Sequence, residues 1–121
     1  MKHTICIVED GDFLRSLAVT KLEKEGFTVF TAANGEDGLK IVQEKIPHLL
    51  ILDLMLPLKS GFDILETLKK DTATKNIKVI VFSNLGEESD IKKCLALGAS
   101  DYLIKASFTL DELVEKIKGL L

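Results

Sequence analysis

Apolar and polar positions along this chain fall into two rhythms. Four stretches are apolar without a break: Thr4-Ile5-Cys6-Ile7-Val8, Leu49-Leu50-Ile51-Leu52, Val79-Ile80-Val81-Phe82 and Tyr102-Leu103-Ile104. Short continuous runs of Val, Ile and Leu predict strands buried on both faces, the habit of parallel sheets covered by helices. A fifth run, Phe27-Thr28-Val29-Phe30-Thr31, alternates and predicts a more exposed strand.

The segments between these runs repeat at helical spacing. A first helix is predicted from about Asp12 to Glu25, with Phe13, Leu14, Leu17, Ala18 and Leu22 on one face and Gly26 as its stop. Asn34 is placed to cap a second, which has Glu36 and Asp37 in its first turn, an apolar side of Leu39, Ile41, Val42 and Ile46, and Pro47 at its end. A third spans Gly61 to about Lys70 around Phe62, Ile64, Leu65 and Leu68. Glu87, Glu88 and Asp90 open a fourth that reaches Leu97 and stops at Gly98. The last has the clearest start. Thr109 and Glu112 stand in capping-box spacing, Phe108 and Leu113 in staple spacing, and Leu110, Leu113, Val114, Ile117 and Leu121 form the buried stripe.

Five strands alternating with five helices, with no repeat and no low-complexity linker, predict a single α/β domain over residues 1–121. Right-handed crossovers make it doubly wound, with helices on both faces of a parallel sheet. The pattern does not fix the strand order.

Composition removes several function classes. With 46% hydrophobic and 29% charged residues the chain is an ordinary globular domain. A net charge of −3 gives no bulk attraction to nucleic acid or to a membrane surface. No apolar run approaches the roughly 18 residues of a membrane span, and no leader pattern precedes the first strand, so a reducing, cytoplasmic setting is the expectation. Cys6 and Cys94 have apolar neighbours and are expected to be small buried hydrophobes. His3 and His48 have no second ligand at a metal-binding spacing, so no zinc site is expected.

Each buried run ends on a residue that carries chemistry: Glu9-Asp10, Asp53, Ser83 and Lys105. In a parallel sheet all carboxyl ends lie along one edge, so these groups converge there. Three crowded carboxylates repel unless a positive group sits among them, and three hard oxygen donors suit Mg²⁺, or Mn²⁺ in its place. Lys105 and Ser83 add an ammonium and a hydroxyl of the kind that hold phosphoryl oxygens. Asp53, alone at the end of a central strand, is the candidate nucleophile, and the adjacent Glu9 and Asp10 suit the metal. Singly, each of these residues reads better as a cap, a turn or a solvated charge; their joint placement at four strand ends reverses that preference.

These residues resemble the receiver domain of two-component response regulators, of which the single-domain chemotaxis regulator is the simplest type. The resemblance rests on Val8-Glu9-Asp10, Asp53-Leu-Met-Leu-Pro57-Leu-Lys-Ser-Gly61, Ser83, Gly98-Ala-Ser-Asp-Tyr102 and Lys105, in family order over the whole chain. It implies a flavodoxin-like sheet of order 2-1-3-4-5, borrowed from the family and not read from this sequence. It further implies that Asp53 accepts a phosphoryl group from a histidine kinase or histidine phosphotransfer protein. Glu9, Asp10, Asp53 and the backbone carbonyl of Met55 would hold Mg²⁺. Ser83 and Lys105 would meet the phosphoryl group, and Ser83 with Tyr102 would form a switch acting on the surface of the fourth helix, fifth strand and fifth helix toward an unidentified protein target. Such a domain is no enzyme beyond its own phosphorylation and dephosphorylation, and it binds neither nucleic acid nor membrane directly.

Three positions depart from the common pattern of that family. Ala106 follows Lys105 where a cis-proline is usual, Asn84 follows Ser83 where a smaller residue is usual, and Gly11 follows the acid pair. The sequence leaves open whether the Lys105-Ala106 peptide is cis or trans. A phosphorylation-independent binding module is the competing reading, and the retention of Glu9, Asp10, Asp53, Ser83 and Lys105 argues against it. A phosphatase of the haloacid-dehalogenase type would need an Asp where Met55 stands, no nucleotide-binding loop is present, and a flavin phosphate would be repelled by the acidic first loop.

Overall fold

The computed structural model describes residues 2–121. The elements follow in the order β1 (Thr4–Val8), α1 (Asp12–Lys24), β2 (Thr28–Ala32), α2 (Gly35–Lys45), β3 (Leu49–Leu52), α3 (Gly61–Lys70), β4 (Lys78–Ser83), α4 (Glu88–Ala96), β5 (Asp101–Ile104) and α5 (Leu110–Leu120), with one 3-10 turn at Lys105–Ser107. All strand pairs are parallel and the sheet order is β2-β1-β3-β4-β5. The chain is therefore the doubly wound, flavodoxin-like α/β domain that the resemblance implied.

The side-chain period of two along each strand divides the core between the two faces of the sheet. Ile5, Ile7, Leu49, Ile51, Ile80, Phe82 and Leu103 pack with Ala18 and Leu22 of α1 and with Leu113, Val114 and Ile117 of α5. Cys6, Val8, Leu50, Leu52, Val79 and Val81 pack with Val42 of α2, Ile64, Leu65 and Leu68 of α3, and Cys94 of α4. Both cysteines are free and buried, and burial pushes the Cys6 thiol up to about 12 and that of Cys94 to about 11. Both faces covered is what the unbroken apolar runs required. The edge strand β2 is half-buried along most of its length, as its alternation foretold.

Helix ends follow their local chemistry. Asn34 accepts the Asp37 amide, Ser60 accepts the Asp63 amide, and Thr109 with Glu112 forms the complete reciprocal capping box. Gly98, at φ +108, turns the chain out of α4 in a backbone region that a side chain disfavours.

Three expectations about helix faces need correction. Phe13 is 79% exposed and Leu17 is also exposed, because at about 100° per residue they stand on the far side of α1 from Leu22, while Leu14, Ala18 and Leu22 turn to the core. Ile46 is exposed instead of joining the apolar side of α2, since Pro47 disfavours helical backbone at the preceding residue and Ile46 takes a left-handed φ of 43°. Leu121 lies past the end of α5 and is exposed, so the stripe of that helix closes at Leu120.

His3 and His48 form an edge-to-face ring pair with centroids 5.0 Å apart, and His48 Nδ1 accepts the Thr4 amide at 2.9 Å. This contact ties the starts of β1 and β3 together, at the sheet edge opposite the ionisable residues. Among the described residues no helix is long and apolar enough to cross a membrane.

Gly61 brings α3 against the end of β3. A Cβ there would stand 2.2 Å from the Asp53 carbonyl oxygen and 2.7 Å from the Leu54 Cα, and both are backbone atoms that cannot swing aside. Gly61→Ala is therefore expected to destabilise the fold by ~1–3 kcal/mol through overpacking. Urea unfolding measures it, and an unchanged midpoint would refute the close approach.

Candidate functional site

The site is assembled by strand register. Val8 pairs with Leu52, so Glu9 and Asp53 leave neighbouring strands side by side, and the ladder continues past both ends: Glu9 N donates to Ala32 O at 3.0 Å and Asp53 N to Val8 O at 3.1 Å. Glu9 and Asp53 are 6% and 5% exposed, whereas Asp10 is open to solvent. Each of the three offers an oxygen, and these oxygens lie within 4.8 Å of one another.

Lys105, at the far end of β5, reaches into the cluster. Its Nζ lies 2.5 Å from Glu9 Oε1 and 2.7 Å from Asp53 Oδ2. Burial by itself pulls the Lys105 ammonium down, but the hydrogen bonds and charges of Asp53 and Glu9 together outweigh it and hold the group above the ordinary lysine range. The remaining carboxylate oxygens are held by backbone: Gly11 N donates to Glu9 Oε2 at 2.8 Å and Met55 N to Asp53 Oδ1 at 3.2 Å. Each buried carboxylate thus has a cation on one oxygen and an amide on the other, which is how buried charge is tolerated.

Of the residues singled out in the sequence, Glu9, Asp10, Asp53 and Lys105 come together in one cluster. Met55 joins through its amide, and its side chain is exposed. Ser83, fully buried at the end of β4, is engaged locally: its Oγ accepts the Leu85 amide at 3.3 Å. Tyr102 is turned inward among Val79, Val81 and Cys94, and its hydroxyl donates to the Leu85 carbonyl. No peptide bond of the described residues is cis, so Lys105-Ala106 is trans.

Arg15 escaped the sequence reading. Its Nη1 donates to the Glu9 carbonyl at 2.9 Å and its Nη2 pairs with Asp12 Oδ1 at 2.5 Å, closing the loop that carries the acid pair. The available signals were the Asp12/Arg15 spacing of three on a helix and the fact that this is the only arginine among 16 basic residues.

The sequence matches the family model described as response regulator receiver domain over residues 5–118. The chain belongs to this receiver family. Over its full length it is 39% identical to the phosphate regulon transcriptional regulatory protein PhoB of Rhizobium meliloti, of which it covers 53%. A CheY-like response regulator receiver domain protein from Methanospirillum hungatei superposes with a TM-score of 0.91 at 28% identity, over 98% of this chain and 93% of that one. For the fold alone, the chemotaxis protein CheY4 of Vibrio cholerae matches with a TM-score of 0.91 at 21% identity, over the whole of both chains. This receiver spans about half the length of the curated relatives it matches.

A hard, all-oxygen donor set with open solvent on the Asp10 side fits a divalent cation of the Mg²⁺ class, which keeps several waters. The receiver's neutral tyrosine is equally well defined. Burial first, then the nearby Cys94, Asp90 and Asp53, push the Tyr102 hydroxyl up to about 12. A raised folded value means that the folded chain holds this proton more tightly than the unfolded chain does. The stabilisation is complete below the unfolded value of 10.0 and is lost as the pH rises toward 12. Tyr102 is the only tyrosine and there is no tryptophan, so tyrosinate absorbance reports this residue alone. Its midpoint is expected well above 10 in the folded chain and to fall to the ordinary value in urea. A midpoint that urea leaves unchanged would contradict the inward, hydrogen-bonded hydroxyl.

Proposed function

We propose that this receiver domain is a phosphorylated signalling switch in which Asp53 takes a phosphoryl group from a phosphohistidine on a histidine kinase or histidine phosphotransfer protein. The observation that carries this reading is the Asp53 carboxylate at the end of the central strand β3, fixed by the Met55 amide and Lys105 beside the oxygens of Glu9 and Asp10. An Asp53 oxygen forms the new bond to phosphorus while the nitrogen–phosphorus bond of the donor breaks, and the electron pair leaves on the imidazole nitrogen, which takes up a proton. Glu9, Asp10, Asp53 and the Met55 carbonyl would hold Mg²⁺ or Mn²⁺, which when bound supplies Lewis-acid charge to offset the phosphoryl oxygens. Lys105 neutralises one of those oxygens, and the surrounding groups orient the donor. The domain turns over no separate substrate; its chemistry is its own phosphorylation and dephosphorylation.

The response runs through Leu85. Ser83 Oγ accepts the Leu85 amide and Tyr102 donates to the Leu85 carbonyl, so both flanks of one residue are tied to the two switch side chains. A phosphoryl group adds roughly −1.5 to −2 charge and strong acceptors, which draw the Ser83 hydroxyl as a donor. Ser83 then exchanges the Leu85 amide for the phosphoryl group, and the loop that seats Tyr102 shifts. The surface formed by α4, β5 and α5 carries the change to a protein target.

Two experiments test this reading. With Mg²⁺ and acetyl phosphate or beryllofluoride the wild type is expected to be modified, and Asp53→Asn to remain unmodified at that position; equal labelling of the variant would refute the assignment. Asn84, exposed beside Ser83, narrows the approach shared by a phosphodonor and a hydrolytic water. Asn84→Ala is expected to speed both labelling by small donors and loss of the phosphoryl group, as followed by mass spectrometry. Slower loss with unchanged labelling would instead assign Asn84 to orienting the water.

A further inference from the structure

Asp10 is the one carboxylate of the cluster that is not held in place. It is exposed, and among the described residues no hydrogen bond restrains its side chain, in contrast to Glu9 and Asp53. Its position therefore depends on the backbone on either side of it. On one side the Glu9 carbonyl accepts from Arg15 Nη1, and on the other Asp12 Oδ1 pairs with Arg15 Nη2. The Arg15 amide adds a third tie, to the Gly11 carbonyl at 2.9 Å. The Arg15 side chain is only 20% exposed, so the guanidinium is folded back against the loop instead of extending into solvent. Gly11, the most flexible residue type, lies inside the span so closed.

We propose that Arg15 is a positioning residue for the divalent cation, its planar fork holding the Glu9–Asp12 loop so that Asp10 and Glu9 present their oxygens to the same point as Asp53. This rests on the cation reading given above. Electrostatics alone predicts the opposite effect: a guanidinium near a cation site repels the cation, so its removal would tighten binding. A fork that spans a carbonyl and a carboxylate is also something a lysine, with one compact ammonium, does not reproduce. Charge and positioning therefore give different answers in two substitutions: charge alone leaves Arg15→Lys unchanged and tightens binding in Arg15→Gln, whereas positioning weakens both.

The test is Mg²⁺ titration of the full chain, followed by NMR at the Gly11 and Met55 amides, which donate to the site carboxylates. Arg15→Lys and Arg15→Gln are each expected to weaken Mg²⁺ by about 10- to 100-fold, the usual cost of losing a group that orients metal ligands. Wild-type affinity in Arg15→Lys, or tighter binding in Arg15→Gln, would overturn the proposal and leave Arg15 as a nearby charge. Thermal unfolding without Mg²⁺ separates this from general damage: a variant that weakens Mg²⁺ only in proportion to lost stability counts against positioning. If the wild type shows no response at millimolar Mg²⁺, the cation reading itself falls, an outcome distinct from wild-type binding that the Arg15 variants leave unchanged.

Discussion

Two carboxylates that emerge side by side from adjacent parallel strands, both nearly buried, would push that edge of the sheet apart if nothing positive stood between them. The register of Val8 with Leu52 makes this juxtaposition unavoidable, because it places Glu9 and Asp53 next to each other. Lys105 resolves it by contacting both acids from β5, with β4 between it and Asp53. Much of the fold serves this reach. β4 lies between β3 and β5, buried from Val79 to Ser83 as its apolar run requires, and the loop after β3 tucks under α3, which Gly61 allows. Removing Lys105 would leave two buried charges unpaired, a change much costlier than the pair is stabilising.

The apolar runs and their end residues revealed most of this in advance. A strand covered on both faces has little freedom of composition, so β1, β3, β4 and β5 were legible, and so were the ionisable residues at their ends. The capping box of α5 was legible because it is a short-range pattern. Strand order was not, since order depends on which helices cross which face, and no local pattern records that. The exposed face of α1 was misread for a related reason. Spacing shows that Phe13 and Leu17 share a face but not which face meets the sheet, and the sheet takes the side of Leu14, Ala18 and Leu22. Arg15 was missed because the Asp12/Arg15 spacing reads as an ordinary surface ion pair, and its bond to the Glu9 carbonyl leaves no trace in a side-chain pattern.

Charge and hydrogen bonding divide the work at this site. Glu9, Asp10, Asp53 and Lys105 together carry two more negative charges than positive, a deficit that one divalent cation cancels. In the proposed reading the cluster is therefore close to neutral before a phosphoryl group arrives. Transfer then adds negative charge with Lys105 already in place, so little rearrangement of charge is needed. What has no partner in the resting state is the new set of acceptor oxygens. On the neighbouring strand end the Ser83 hydroxyl accepts a long bond of 3.3 Å from the Leu85 amide, a bond it gives up if the side chain turns to donate its proton to those oxygens. Exchanging a weak neutral bond for a charge-assisted one is favourable. In the proposed reading the signal that leaves the site is therefore a hydrogen-bond exchange at Leu85, and Tyr102, whose hydroxyl donates to the carbonyl of the same residue, is the side chain that would register it.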